Sequence, residues 1–324
     1  MIELNKNLLL PMLVATVISI VIGNFIIAKL RKAKIGQSIR DDGPQSHLAK
    51  AGTPTMGGII FVISTIASLL IFGKINSTIA VILIGMIGFG GIGFIDDYMK
   101  LIMKRSLGLN EKQKLILQFI VSILLIVVAS KVMPTSITNF LIPFVHKEVN
   151  LGFFAYPILV FIMVGTVNAT NLTDGLDGLA TSVTIPVFLA LVVIGAMKNA
   201  DISTFAAVFT GSLFGFLVYN SNPASVFMGD VGSMAIGGAL VAITTLLNMN
   251  IYLIILGGVY MIEVLSVIIQ TISYRTRNKK RVFLMSPIHH HFELKGHKEP
   301  KIVATFMVVS IILSLITLMD VIAL

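Results

Sequence analysis

Apolar residues run through this chain in long blocks, not at the alternating or every-third-or-fourth spacing of a half-buried strand or surface helix. Read between polar breaks, the blocks lie near 8–28, 57–73, 78–97, 114–132, 153–170, 178–197, 203–219, 232–248, 251–272 and 302–323. A helix needs roughly 20 consecutive apolar residues to cross a bilayer. The pattern therefore predicts an all-α integral membrane protein of about ten transmembrane helices. The second and eighth blocks are short for a span, which longer helix ends or local bilayer thinning would accommodate. The 8–27 run is too long for a secretory leader's core and has no clear small-residue cleavage site, so it reads as a retained first helix. No repeat, low-complexity tract or linker divides the chain, so residues 1–324 are expected to form a single domain.

Composition agrees. Hydrophobic residues make up 56% of the 324 and charged residues 12%, against about 25% charged in soluble domains. The absence of cysteine excludes disulfides and thiolate chemistry. A net charge of +9 could suggest nucleic acid, but in a membrane protein basic residues first report orientation, and no nucleic-acid partner is expected. Of the 24 Lys and Arg residues, 19 follow the first, third or ninth block. By the positive-inside rule those loops are cytoplasmic and both termini lie outside.

Acids at or within membrane spans are costly and tend to be functional. Asp96 and Asp97 end the third block in "GFIDDYMK", Asp174 and Asp177 lie in "NATNLTDGLDGLA", and Asp230 lies in "NSNPASVFMGDVGS". With the orientation above, all five reach the basic, cytoplasmic face, which also carries the run "SPIHHHFELKG". Each motif has a plainer reading. Asp96 and Asp97 could be solvated at a helix end, and Asp174 and Asp230 could be N-caps. Asn171, Asp174 and Asp177, however, recur at intervals of three and share a broad helical face. Three unrelated caps would not explain why so many acids and bases meet on one face. Oxygen ligands without cysteine suit Mg²⁺, which takes one or two carboxylates plus phosphates and water. Nearby cations such as Lys50 and Lys114 would bind phosphate oxygens. The chemistry indicated is phosphoryl transfer between a soluble donor and a lipid. An ion-coupled transporter is the rival class, disfavoured because the acids sit at one face, not at the midplane.

Two patterns are set aside. "GFGGIG" at 88–93 matches a dinucleotide-binding fingerprint but lies inside an apolar block without a βαβ setting, so its glycines are expected to serve close helix packing. His289, His290 and His291 are consecutive, a poor arrangement for one zinc ion, while His47 and His297 read as loop histidines.

At these motifs the chain resembles the phospho-N-acetylmuramoyl-pentapeptide-transferases, a branch of the polyprenyl-phosphate N-acetylhexosamine-1-phosphate transferases. The matching stretches are "DDGPQSHLAKAGTPTMGG", "FIDDYMK", "NLTDGLDGLA", "VFMGDVGS" and "MSPIHHHFELKG", in family order from Asp41 to Gly296. The resemblance implies transfer of phospho-MurNAc-pentapeptide from UDP-MurNAc-pentapeptide to undecaprenyl phosphate, giving lipid I and UMP with Mg²⁺. It also implies a multi-pass homodimer in the bacterial plasma membrane. It assigns Asp230 to the metal, and Asp96 and Asp97 to the lipid phosphate or the metal. Asn171, Asp174 and Asp177 fall in the nucleotide and catalytic cleft, with Asn220 and Phe227 near uracil. Gln270, His290 and His291 face the nucleotide–sugar, His289 is the family position assigned to the active site, and Lys50, Thr55 and Lys114 complete the polar shell. The segment "GLNEKQK" departs from the Ala-Arg pair common before the family lysine, which leaves Lys112 beside Lys114 as a candidate. Both a direct attack by the lipid phosphate and a covalent aspartyl-phosphate step are open at this point, as is a related transferase that takes another UDP-sugar.

Overall fold

A computed structural model describes residues 6–32, 50, 52–72, 74–101, 103, 108–133 and 135–324. Lys34, Arg40, His47, Lys104, Arg105 and most of the 41–51 motif lie outside the described residues. Twelve helices follow in order: α1 (Lys6–Lys32), α2 (Gly58–Ile71), α3 (Ser77–Leu101), α4 (Glu111–Val132), α5 (Ala155–Thr173), α6 (Leu179–Lys198), α7 (Ala200–Asn220), α8 (Gly229–Leu246), α9 (Leu253–Leu256), α10 (Gly258–Thr276), α11 (Ile288–Leu294) and α12 (Glu299–Ile322). Between α4 and α5 an antiparallel hairpin pairs β1 (Asn139–Ile142) with β2 (Lys147–Asn150), Asn139 opposite Asn150. The protein is an all-α multi-pass membrane protein with this one small sheet among the described residues.

Among the described residues, eight helices are long and apolar enough to cross a membrane. The two remaining blocks differ from simple spans, each for a physical reason. In α2 only 14 residues are helical, about 21 Å at 1.5 Å per residue, short of the roughly 30 Å hydrocarbon core. The ninth block is bent by 85° between Asn250–Leu256 and Gly258–Thr276. The break falls at Gly257 and Gly258, and paired small residues are where helices kink. Beyond the bend α10 carries its last turns toward the basic loop and α11.

Burial sorts the helices into layers. In α6, α7 and α8 the apolar stretch is 83%, 78% and 83% buried, against 28% in α1, α4 and α12. The first three form the centre, and the others turn one face to lipid. Glycine brings α3 onto α8. Gly85 lies against the backbone of Gly238 and Gly93 against Asp230, both too close for a Cβ, and Gly90 sits tightly on Ala235. The "GFGGIG" stretch thus acts as a packing surface, with Gly88 meeting Val121 of α4 and Gly91 facing open space. The result is that the C-terminal end of α3 is held directly on the N-terminal end of α8.

The far end of the bundle is anchored separately. The Asp320 carboxylate, near the end of α12, accepts from the Phe144 N–H at 3.0 Å and the Tyr252 hydroxyl at 2.6 Å, and pairs with His146 Nε2 at 2.7 Å. These contacts pin the hairpin turn to α12 at the end remote from Glu299.

Candidate active site

The C-termini of α3, α5 and α7 and the N-termini of α4, α8 and α12 meet at one end. Two polar networks occupy it. In the first, Lys114 Nζ lies 2.7 Å from Asp230 Oδ2 and 3.3 Å from Asp96 Oδ2, while Lys100 Nζ lies 2.8 Å from Asp96 Oδ2 and 3.3 Å from Asp230 Oδ2. One oxygen from each acid therefore converges on the same pair of cations. Asp96 Oδ1 accepts from the Leu109 N–H at 2.8 Å. Asn171 Nδ2 donates to Asp230 Oδ1 and to Ser233 Oγ, both at 2.9 Å.

Local sequence explains the aim of Lys114. Asn110 caps α4, accepting from Gln113 N at 2.8 Å, while the Gln113 side chain accepts from Asn110 N at 3.2 Å. This reciprocal capping box fixes the helix start, so Lys114 falls on the inner side. Lys112, two residues or about 200° earlier, is exposed. Before the cap, Gly108 has φ +56° and packs so closely on Asp96 Oδ1 that a Cβ would overlap it.

Asp96 and Asp97 take different directions, as adjacent helical residues must. Asp97 is 5% exposed, and its Oδ2 accepts from the Val231 N–H at 3.1 Å, one of the unpaired donors at the start of α8. The Gly229 N–H faces the carboxylate of Asp174. Three acids, Asp97, Asp174 and Asp230, thus surround the positive end of one helix dipole. Burial, then the negative charges of Asp230 and Asp97, push the Asp174 carboxyl well above its ordinary range. Thr55 is buried beside Gly229 and Asp97.

The second network joins Lys50 to Asp177 at 2.8 Å and to Glu299 at 2.6 Å. Glu299 accepts from the Asp177 N–H at 2.6 Å, and Asp177 Oδ2 accepts from Asn222 at 3.1 Å and Ala224 N at 3.0 Å. Burial works against the Lys50 charge, but the hydrogen bonds to Asp177 and Glu299 outweigh it and raise the lysine above its usual value. This network ties the α5–α6 turn, the α7–α8 loop and the start of α12 together. Asn220 supports the same loop, accepting from Thr181 at 2.7 Å and donating to Val226 O at 3.1 Å. Phe227 is held through its backbone to Pro54 and Gly57, both at 2.8 Å.

The histidines go three ways. His289 is fully buried, its Nδ1 3.1 Å from Glu263 Oε2 and its Nε2 packed against Gly175. His290 pairs with Glu293 at 2.6 Å. His291 Nδ1 accepts from the Leu284 N–H at 3.1 Å. Gln270 braces the same loop, donating to Phe283 O at 2.9 Å and accepting from Val282 N and Phe283 N. Beside it Arg275, Arg281 and Ser286 line a basic pocket of about 360 Å³.

Of the residues expected from sequence, Asp96, Asp97, Asp230, Lys114, Asn171, Asp174 and Thr55 gather around the start of α8. Lys50 and Asp177 form the neighbouring network, and Gln270 with the His run flanks it on α10 and α11. Sequence reading passed over Lys100, Glu263 and Glu299. Lys100 stands four residues after Asp96, a signal for a shared helix face. Glu263 is an acid inside an apolar block and carried the same signal as Asp96. Glu299 stands before the last block, at the start of α12, and had none.

Whether this donor set suits a divalent ion can be judged from the convergence of Asp96 and Asp230. No cluster of three or more acids and histidines forms a ready cage among the described residues. Two converging carboxylate oxygens beside lysines match the way Mg²⁺ is held, with phosphates and water completing the shell. Such an ion would also relieve the mutual repulsion of Asp174, Asp97 and Asp230.

Comparisons with known proteins cover nearly the whole chain. Residues 79–248 match the family described as Glycosyl transferase family 4, and residues 50–62 match the phospho-N-acetylmuramoyl-pentapeptide-transferase signature 1. The chain is 46% identical over 310 residues to the phospho-N-acetylmuramoyl-pentapeptide-transferase of Caldanaerobacter subterraneus subsp. tengcongensis, covering 95% of this chain and 96% of that one. It is 46% identical over 316 residues to the enzyme of that name from Clostridium botulinum, covering 97% and 96%. The Clostridioides difficile enzyme is 46% identical over 311 residues, covering 95% and 96%.

Proposed function

The chain belongs to the phospho-N-acetylmuramoyl-pentapeptide-transferase family, and from that premise we propose that it transfers phospho-MurNAc-pentapeptide from UDP-MurNAc-pentapeptide to undecaprenyl phosphate. The products are lipid I and UMP, Mg²⁺ is the bound ion, and the site opens on the cytoplasmic face of a bacterial plasma membrane, where the basic loops point. A homodimer is part of this reading. The observation that carries it is the convergence of Asp96 and Asp230 on Lys100 and Lys114 at the dipole-positive end of α8.

The lipid phosphate is largely dianionic at neutral pH, since the second pKa of a phosphate monoester is about 6. Its oxygen attacks the sugar-linked phosphorus directly, and Asp96 orients it at the membrane surface. Lys100 and Lys114, which bridge the two acids in this structure, turn to phosphate oxygens when substrates enter. Asp230 with Asp96 would hold the ion, which supplies charge neutralisation at the departing UMP. Asn171 fixes the rotamer of Asp230 through its 2.9 Å bond.

The test is UMP release by purified full-length protein in detergent, with UDP-MurNAc-pentapeptide, undecaprenyl phosphate and Mg²⁺, and with UDP-GlcNAc in parallel. Release from the muramyl donor alone, dependent on lipid and Mg²⁺ and lost in Asp230→Ala, is the expected result. Turnover of UDP-GlcNAc instead would move the substrate, and no turnover of either by folded protein would overturn the reading.

A further inference from the structure

Glu263 lies in the second turn of α10 with its side chain fully buried, yet the site described above makes no use of it. Its one ion-pair neighbour among the described residues is His289, at 3.1 Å and also fully buried. The two are close but off-line: neither carboxylate oxygen and neither ring nitrogen makes an aligned hydrogen bond. A buried carboxylate is costly unless paired, and an apolar pair of similar volume is often as stable or more so. This arrangement is therefore poorly explained as a contribution to stability.

The pair touches three segments. Glu263 belongs to α10. His289 belongs to the seven-residue α11, and its ring lies 4.1 Å from that of His290. The far side of the His289 ring sits on Gly175 so closely that a Cβ there would overlap Nε2. Gly175 follows Asp174 directly, and Asp174 meets the N-terminus of α8. The imidazole is thus confined between the Glu263 carboxylate, 3.1 Å from Nδ1, and the Gly175 backbone on its Nε2 side, and a partner on one ring nitrogen is what orients a functional histidine. A shift of the ring is passed straight to the turn.

We propose that Glu263 is a positioning residue for the transfer reaction: through His289 it sets the 174–178 turn, and with it the carboxylate of Asp174 at the start of α8. The proposal rests on the transferase reading above. It places His289 behind the turn as a brace, so the two residues act as one unit on a third.

The experiment combines steady-state kinetics with hydrogen exchange on full-length wild type, Glu263→Gln, His289→Gln and the double variant. Glu263→Gln is expected to lower kcat roughly ten-fold or more, with KM for both substrates within about two-fold and thermal unfolding shifted by only a few degrees. Without any substrate, exchange in the 171–178 peptide is expected to rise to the same level in both single variants and in the double. Non-additivity of this kind marks residues acting through one another. A Glu263→Gln enzyme with kcat within two-fold of wild type would overturn the proposal, as would exchange in the double variant exceeding that in either single. If Glu263→Gln is not recovered folded, Glu263→Asp is measured in the same way. If wild type proves to use another donor, the functional reading falls while the exchange comparison still decides this one.

Discussion

Placing one methyl group at Gly93 should separate the two halves of the site. A Cβ there would overlap the carbonyl of Asp230 and stand 2.6 Å from Val231 N, whereas ordinary carbon contacts begin near 3.5 Å. Both obstacles are backbone atoms of α8, so no side chain can swing aside, and the helices must part by about 1 Å. That movement stretches the 3.1 Å bond from Val231 N to Asp97 and the lysine bridges from Asp96 to Asp230. Overpacking of this kind costs about 1–3 kcal/mol in stability. A displacement of about 1 Å at reacting groups costs on the order of 100-fold in rate. Gly91→Ala is the matched control, because its Cβ would meet nothing within 4 Å and alanine is the better helix former by about 1 kcal/mol. The assay is lipid-dependent UMP release beside thermal unfolding in the same detergent. Gly93→Ala retaining kcat within about two-fold of Gly91→Ala would refute the claim that direct α3–α8 contact positions the acids.

Other expectations concern individual side chains. Lys114→Met should lower kcat by roughly 100-fold, the scale of losing a charged group that stabilises developing charge; Lys112→Met, on the exposed side of the same helix, should stay within two-fold. Chelation should abolish UMP release and added Mg²⁺ restore it, and Asp230→Asn should raise the Mg²⁺ needed by roughly ten-fold or more, read from activity against Mg²⁺ concentration. Asp177→Asn and Glu299→Gln should each destabilise by about 2 kcal/mol, below the 3–5 kcal/mol of a fully buried pair because Lys50 retains 19% exposure. Equal Tm losses in the two would identify a structural tie, and a change in donor KM for Asp177→Asn alone would contradict it.

Much was legible without coordinates, because the bilayer imposes its constraint one span at a time. Ten apolar blocks became eight spanning helices, one short helix and one bent pair, each at the expected place along the chain. The acids in "FIDDYMK", "NLTDGLDGLA" and "VFMGDVGS" announced themselves because acids are rare in such surroundings, and alternating spans bring them to one face. Which of Lys112 and Lys114 turns toward the acids was also encoded, in the capping box of Asn110 and Gln113.

Other features depend on which helices touch, and that is a property of packing in three dimensions. Nothing in the order of residues says that α3 lies on α8, so Asp97 could not be seen as the partner of an α8 N–H, nor Gly93 as the contact beneath Asp230. Glu299 and Lys50, far apart in the chain, share a carboxylate network only because α12 starts beside the α5–α6 turn. The three histidines illustrate the division most clearly. Their sequence declared a polar run at the membrane face, and His290 with Glu293 three residues on is a local pair within one short helix, but only tertiary packing brought His289 to Glu263 of α10 and to Gly175.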